Sequence, residues 1–403
     1  MAAKNKLLQE LGLRGLSIAP SQVRGAIRIV PLLRKNVRYD LRLERRAYNE
    51  DLTIVSLEGQ MLEEGMKYIS YVPHGLVLSW SNDGSAIAAM GAQMKEGQMK
   101  SDAQSSRNEG KKFASARVLH RMAKREDKNR LRFLPLHLAM EGFLASFFSG
   151  PSIAWSEYSQ EALSHGLGSR WEMSFGGRAI SGFEDALRVF EIHEKQVGVL
   201  VFVAEALASA FVLPTPEDYR ALHQSLLEDF YGELIFQYAL MYDTNYPMDV
   251  SVDEELINNV ADLREAVEKM RMHWAEFQGF MAANLLQRPL QNKRVYTAGR
   301  FLLQRFMTDL DPKQENHIGE AIARDSGEIE YLKTYRLSAA QTKRVYLLSK
   351  LSESDWNLEA TASKLFTSKD ELVIRLERAG FGYLLKQNLL EIAQKNRKKR
   401  RRN

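Results

Sequence analysis

The sequence predicts an α+β protein, with a β-rich N-terminal α+β domain and an all-α C-terminal region. Short runs rich in β-branched and aromatic residues crowd the first third of the chain. After Pro247 the apolar residues recur at helical spacing with charges between them. The 403 residues exceed one ordinary domain, so several units are expected. The boundaries read as an α+β domain over 1–246, a helical domain over 247–335, a small helical module over 336–392 and a disordered polybasic tail over 393–403.

Each element has a local reason. VRGAIRIVPLL, DLRLERRAY, DLTIVSLE, KYISYV, GLVLSWS and AIAAMGAQM read as strands, punctuated by turn formers such as Asn36, Gly59, Gly65 and Pro73. Asn82-Asp83-Gly84 is a hairpin signal, because Asp-Gly supplies the positive φ angles of a tight turn. Residues 95–112 are polar without apolar period and read as a flexible loop. ARVLHRMAKRED, HLAMEGFLASFF and FEDALRVFEIHE read as helices, and LRFLPL as a strand. VGVLVFVA is a buried strand with ALASAFVLP as its hairpin partner. A helix starts at Pro216, with Glu217 and Asp218 at the positive end of its dipole, and runs to about Tyr242. VDEELINNVADLREAVEKMRMHWAEFQGFMAANLL is one long amphipathic helix or a helical hairpin, and 294–335 continues as helices broken at Pro289 and Pro312.

Composition excludes several chemistries. Without cysteine there are no disulfides, thiolate metal sites or cysteine nucleophiles. The N-terminus lacks the apolar centre of a signal peptide, and no stretch reaches the roughly 18 to 20 apolar residues of a membrane span, so the cytoplasm is the expected location. Neither GLGSR nor SFGGRAISGF has the spacing of a phosphate-binding glycine loop. The net charge of +5 comes from the end of the chain. Lys395, Arg397, Lys398, Lys399, Arg400, Arg401 and Arg402 outweigh it, leaving a slightly acidic body and a tail drawn to polyanions.

Residues 131–240 hold polar groups inside apolar runs, where burial costs free energy unless each finds a partner. His137 and Glu141 stand four apart on one helix face, half of a metal site or a hydrogen-bonded pair. No complete metal site is predicted. Trp155 and Glu157 have the makings of a stacking and hydrogen-bonding platform, or of a core anchor. Glu191, His193 and Glu194 fall where a helix meets a buried strand, beside Gln196. A carboxylate near His193 would raise its pKa and make an acid–base pair, with capping as the alternative. The candidate catalytic residues are thus Glu157, His193 and Glu191, and the candidate ligand residues Trp155, Gln196, His137 and Glu141. The cofactor is unknown, and whether the protein is an enzyme is open.

QVGVLVFVAEALASAFVLPTPEDYRALHQSLLEDF, with IAWSEYS upstream and VRGAIRIVPLL near the start, resembles the bacterial ADP-ribosylglycohydrolase and rhodanese-phosphatase-superfamily-associated protein domains over roughly 18–245. The resemblance implies a context of ADP-ribose processing, RNA repair and prokaryotic conflict systems, and carries no catalytic assignment.

LSAAQTKRVYLLSKLSESDWNLEATASKLFTSKDELVIRLERAGF resembles a Fis-type helix-turn-helix. Asn357 would cap its second helix, Phe366-Thr367-Ser368 form the turn, and 369–379 be the recognition helix, with Leu372 and Leu376 inward and Gly380 as stop. Lys369, Arg375 and Arg378 on that helix, together with the tail cations, are the candidate nucleic-acid contacts, though Asp370, Glu371 and Glu377 share the surface. The first functional expectation is an accessory protein of a nucleic-acid repair or anti-phage conflict system that binds RNA or DNA. The alternatives are an enzyme acting on a nucleotide, ADP-ribose derivative or RNA end in the 137–196 cleft, and a structural subunit of a defence complex with a protein partner.

Overall fold

The computed structural model describes residues 7–24, 27–45, 53–56, 67–70, 92–98, 112–118, 131–133, 147–148, 192–203, 206–225, 252–311 and 313–400. The chain divides into two compact units: residues 1–45, 92–118 and 176–336, and residues 46–91, 119–175 and 337–403. The protein is a mixed α+β chain in which antiparallel sheet leads and helices gather toward the C-terminus.

The first unit is built on a nine-stranded sheet. Its N-terminal strands are β1 (Leu16–Ile18), β2 (Gln22–Arg24) and β3 (Ile27–Arg34). Both β1 and β2 pair with the same edge of β3, at Leu32–Arg34 and Ile27–Ile29 respectively. Pro31 lies in the gap between the two pairings, where no ladder bond is required from its nitrogen, and its carbonyl accepts from Ala19 N at 3.0 Å.

Six short strands follow. β4 (Leu41–Arg45), β7 (Ala92–Gln98) and β8 (Lys112–Val118) form a three-stranded sheet in the first unit, with β8 central. β5 (Thr53–Ser56), β6 (Lys67–Ser70) and β9 (Leu131–Phe133) form another in the second unit. Here the structure corrects the sequence reading. Residues 95–98 and 112 belong to paired strands rather than to a loop, and 116–118 are strand rather than helix, because backbone pairing of Ala92 with Val118 through Gln98 with Lys112 overrides a polar composition. The Asn82–Gly84 hairpin lies outside the described residues.

β10 (Gln196–Val203) and β11 (Ala206–Val212) form the expected buried hairpin, and β10 also pairs with β3 along its length. Close packing sets one position here: a Cβ at Gly198 would collide with the carbonyl oxygen of Phe211. The helix α1 (Pro216–Ser225) begins at the expected proline, and α2 (Val260–Met281) is the expected long helix, capped by Asn259, whose side chain accepts from Ala261 N and Asp262 N. A short helix, α3 (Ala283–Leu286), ends it.

The described residues of 290–336 are not helical. They form β12 (Leu290–Ala298), β13 (Phe301–Thr308), β14 (His317–Arg324) and β15 (Ile329–Arg336), which complete the sheet in the order β1-β3-β10-β11-β15-β14-β13-β12. The alternation that marks a one-sided strand is missing, because β13 and β14 are buried along their whole length on both faces. One face carries the apolar cluster of Val30, Leu32, Leu200, Phe202, Val212, Phe306 and Leu332, closed by Leu8 and Leu11 from the N-terminal segment and by Leu285 and Leu286 from α3. Leu8 N donates to Gln304 Oε1, and Leu290 N to Gln9 O, so that segment is stitched to the sheet. Arg305, Glu320 and Lys333 stand opposite one another on neighbouring strands, all buried, with Tyr331 Oη donating to Glu320 Oε1 at 3.0 Å. Burial pushes the Lys333 ammonium well below its usual pKa, and Glu320 opposes that shift.

A chain of alternating charges ties the sheet together. Arg34 NH1 meets Glu330 Oε2 at 3.3 Å, and Arg34 NH2 donates to Ile329 O at 2.7 Å. Arg324 Nε binds Glu330 Oε1, while its NH1 donates to Asp40 Oδ2 at 2.8 Å. Arg324 also lies 4.8 Å over the Phe301 ring.

The second unit carries α4 (Ala339–Ser352), α5 (Leu358–Lys364), α6 (Lys369–Leu376) and α7 (Gln387–Arg400). The tail is corrected as well: residues 393–400 belong to α7 rather than to a disordered end, because Leu390 and Ala393 anchor that helix.

The ion chain generates a graded expectation. Glu330→Gln removes a 2 % exposed carboxylate shared by two guanidinium groups and is expected to cost about 3–5 kcal/mol. Asp40→Asn removes a 36 % exposed partner and should cost under about 1 kcal/mol. Urea midpoints of the two variants test this, and equal losses would refute it.

Candidate functional site

Of the sequence-predicted catalytic and ligand residues, His137, Glu141, Trp155, Glu157 and Glu191 lie outside the described residues. His193 and Gln196 are brought together in the turn that opens β10. His193 N donates to Gln196 Oε1 at 3.0 Å, Gln196 N donates to His193 O at 3.0 Å, and Lys195 N donates to His193 Nδ1 at 3.2 Å. The exposed imidazole thus has one ring nitrogen engaged in closing a turn. Gln196 is buried and its Nε2 donates to Gly198 O at 3.2 Å, spanning the irregularity in the β3–β10 register.

Behind that turn lies a buried polar relay missed in the sequence reading. Tyr219 and His223, four apart on α1, bring Tyr219 Oη within 2.9 Å of His223 Nδ1, and Gln196 also hydrogen-bonds the Tyr219 side chain. Burial raises the phenol far above its usual range and pushes the imidazole down to about 4. The relay is therefore neutral at pH 7, joining α1 to the start of β10. The Tyr-x-x-x-His spacing inside a predicted helix was the available signal. Among the described residues no group of three or more His, Asp or Glu is arranged to hold a metal ion.

The helices of the second unit arrange the basic residues. Ser338 and Gln341 form a capping box at α4, and Asn357 accepts from Glu359 N and Ala360 N at α5, as expected from its type. The turn to α6 passes through Phe366, which is 98 % exposed at φ 51°, before Ser368 caps α6 by accepting from Glu371 N. Leu372 and Leu376 are buried on one flank of α6. Its other flank meets α7: Val373 and Ile374 pack with Leu390 and Ala393, Asn396 Nδ2 donates to Asp370 Oδ2 at 3.0 Å, and Gln394 Nε2 donates to Glu377 Oε1 at 2.9 Å. What remains outward is a narrow stripe of Glu371 and Arg375 on α6 and Arg378 just beyond it. Lys369 is paired with Glu359 at 2.9 Å, which holds that exposed carboxyl below its usual pKa. On α7, Lys395, Lys398 and Lys399 are exposed and Arg397 is half-buried, while Arg400 ends the helix. Arg401 and Arg402 lie outside the described residues.

A model of the ARPP-2 family matches residues 11–299. The chain belongs to the ARPP-2 family. No curated protein gives a significant match, and no solved structure does. The ARPP-2 match ends in the turn between β12 and β13, whereas the sheet continues to Arg336, so matched and unmatched strands share one core. The helices α4 to α7 of this ARPP-2 chain lie wholly beyond the matched span. No helix among the described residues is long and apolar enough to cross a membrane.

Two buried histidines set a pH dependence. His223 falls from 6.5 to about 4 and His317, fully buried at the start of β14, to about 3, both chiefly by burial. The unfolded chain therefore takes up these protons first. Their contribution to stability is complete above about pH 6.5 and is lost as pH falls through the window toward 4 and then 3, by at most about 1.4 kcal/mol per pH unit for each. Neither ring nitrogen of His317 has a hydrogen-bond partner among the described residues. His317→Leu should accordingly flatten the profile between pH 6.5 and 4 without loss of stability at pH 5, and an unchanged slope in denaturant midpoints would contradict this.

Proposed function

We propose that this ARPP-2 chain is an accessory protein of a nucleic-acid repair or anti-phage conflict system, and that it binds RNA or DNA through the cationic outer face of α7. The observation that carries the reading is the anchoring of α7 on α6. Leu390 and Ala393 pack on Val373 and Ile374, and the hydrogen bonds from Gln394 and Asn396 orient the same face, so the exposed Lys395, Lys398 and Lys399 are held on a fixed surface. A helix presents such charges at a rise of about 1.5 Å per residue, close enough together to meet adjacent phosphates.

The succession of α5, a short turn and α6 supports a helix-turn-helix reading of the same module. In that reading α6 is a poor reader of bases, because one flank is covered by α7 and Lys369 is spent on Glu359. Binding is then dominated by phosphate contacts, with Arg375 and Arg378 in a supporting role and little sequence preference.

The test is binding of labelled single-stranded RNA and duplex DNA across a salt series. Replacing Lys395, Lys398 and Lys399 together by glutamine preserves helix propensity and removes three charges. The slope of log affinity against log salt should drop by roughly two to three, with affinity falling on both nucleic acids alike. Arg375→Gln with Arg378→Gln should have the smaller effect. Unchanged affinity and slope in the triple variant would defeat the proposal.

A further inference from the structure

The first unit contains a cleft of about 250 Å³ beside the pairing of β1 with β3, lined by Ser17, Arg34, Lys35, Asn36 and Arg38 and by the carboxylates Glu328 and Glu330. Its chemistry is uneven. Glu330 is engaged by Arg34 and Arg324, and Glu328 by Arg38, at 2.6 Å, and by Ser326 Oγ, at 3.2 Å. The two carboxylates are thus already neutralised by partners, whereas Lys35 and Asn36, both exposed, make no hydrogen bond or ion pair among the described residues. Arg34 is 4 % exposed and places NH1 on Glu330 and NH2 on Ile329 O, and its buried Nε–H has no acceptor among the described residues.

We propose that this cleft is a binding site for a small molecule carrying an oxyanion, a phosphate or a carboxylate, held by Lys35, Arg38 and Asn36 above the guanidinium of Arg34. Three cations against two committed carboxylates leave the wall with a surplus positive charge, which selects an anion over a cation or a neutral sugar. Burial disfavours the charged form of Arg34; Glu330 opposes that shift, and the neighbouring Arg324 guanidinium adds to it. The volume sits at the small end of ligand sites, fitting the charged group and a modest organic body. The cleft and the α7 cations belong to different units, so this site does not depend on nucleic-acid binding.

The experiment is calorimetric titration of the full-length chain with inorganic phosphate and, separately, with acetate, at constant ionic strength set by chloride. Wild type, Lys35→Met and Arg38→Gln are compared with Lys398→Gln/Lys399→Gln, which reports on the polyanion surface alone. Lys35 and Arg38 are solvent-facing, so these variants keep the buried ion chain intact. Saturable binding of phosphate or acetate that weakens at least about tenfold in Lys35→Met, and persists in the α7 variant, is expected, and the anion that binds names the group. No saturable binding of either at millimolar concentration, binding unchanged by Lys35→Met, or binding lost in the α7 variant would each overturn the proposal.

Discussion

Three charges in the interior organise the first unit. Arg34 from β3, Glu330 from β15 and Arg324 from β14 are each at most 4 % exposed, and each is tolerable only because the other two are in place. Removing such charges from water costs several kcal/mol per ion, which is recovered only with good geometry and complete pairing. The geometry comes from a local irregularity. Ile322 pairs with Tyr331 and Ala323 with Ile329, so Glu330 is the extra residue of a bulge and its carboxylate reaches both guanidinium groups. Strands from residues 27–34 and 317–336, far apart in the chain, are thereby locked at one end of the sheet. The outer link to Asp40 extends the lock into the turn after β3, the same turn that supplies Lys35, Asn36 and Arg38 to the cleft.

That dependence explains which parts of the fold were legible in the sequence. The β10–β11 hairpin, the start of α1 at Pro216, α2 with its cap, and the Asn357 cap are local: periodicity or a single capping side chain determines them. The four strands after Leu290 are specified by tertiary context instead. Arg305, Glu320 and Lys333 sit on a buried face, so polar residues appear where a strand pattern demands apolar ones, and the mixture imitates an amphipathic helix. The turn signals were nevertheless present. Gly299 at φ 55° and Gly327 at φ 82° mark the two hairpin tips, and Asp325-Ser326-Gly327 is a turn sequence.

The candidate sites were legible to different degrees. His193 and Gln196 were singled out because polar residues beside a buried strand are suspicious, and the hydrogen bonds between them account for that suspicion by closing a turn. Tyr219 and His223 escaped notice because a tyrosine and a histidine on a helix look like surface residues until their helix is known to pack on β10. The cleft residues had no sequence signature. Ser17, Lys35 and Glu328 are ordinary surface types; the pairing of β1 with β3 brings the first two together, and the ion pair with Arg38 brings Glu328 to the same wall.

Composition alone describes the C-terminal cations as a mobile brush, whose attraction to a polyanion is opposed by the entropy lost on binding. Packing of α7 changes the argument. With Leu390 and Ala393 seated on α6, ordering of the last two turns accompanies folding, and less of that entropy remains to be lost at the encounter. The acidic residues of α6 then acquire a use other than repulsion. Asp370 and Glu377 accept from Asn396 and Gln394, so carboxylates that would weaken a nucleic-acid surface serve to orient the helix that carries the cations. The same interaction covers one flank of α6, which in the proposed reading favours phosphate contact over base reading.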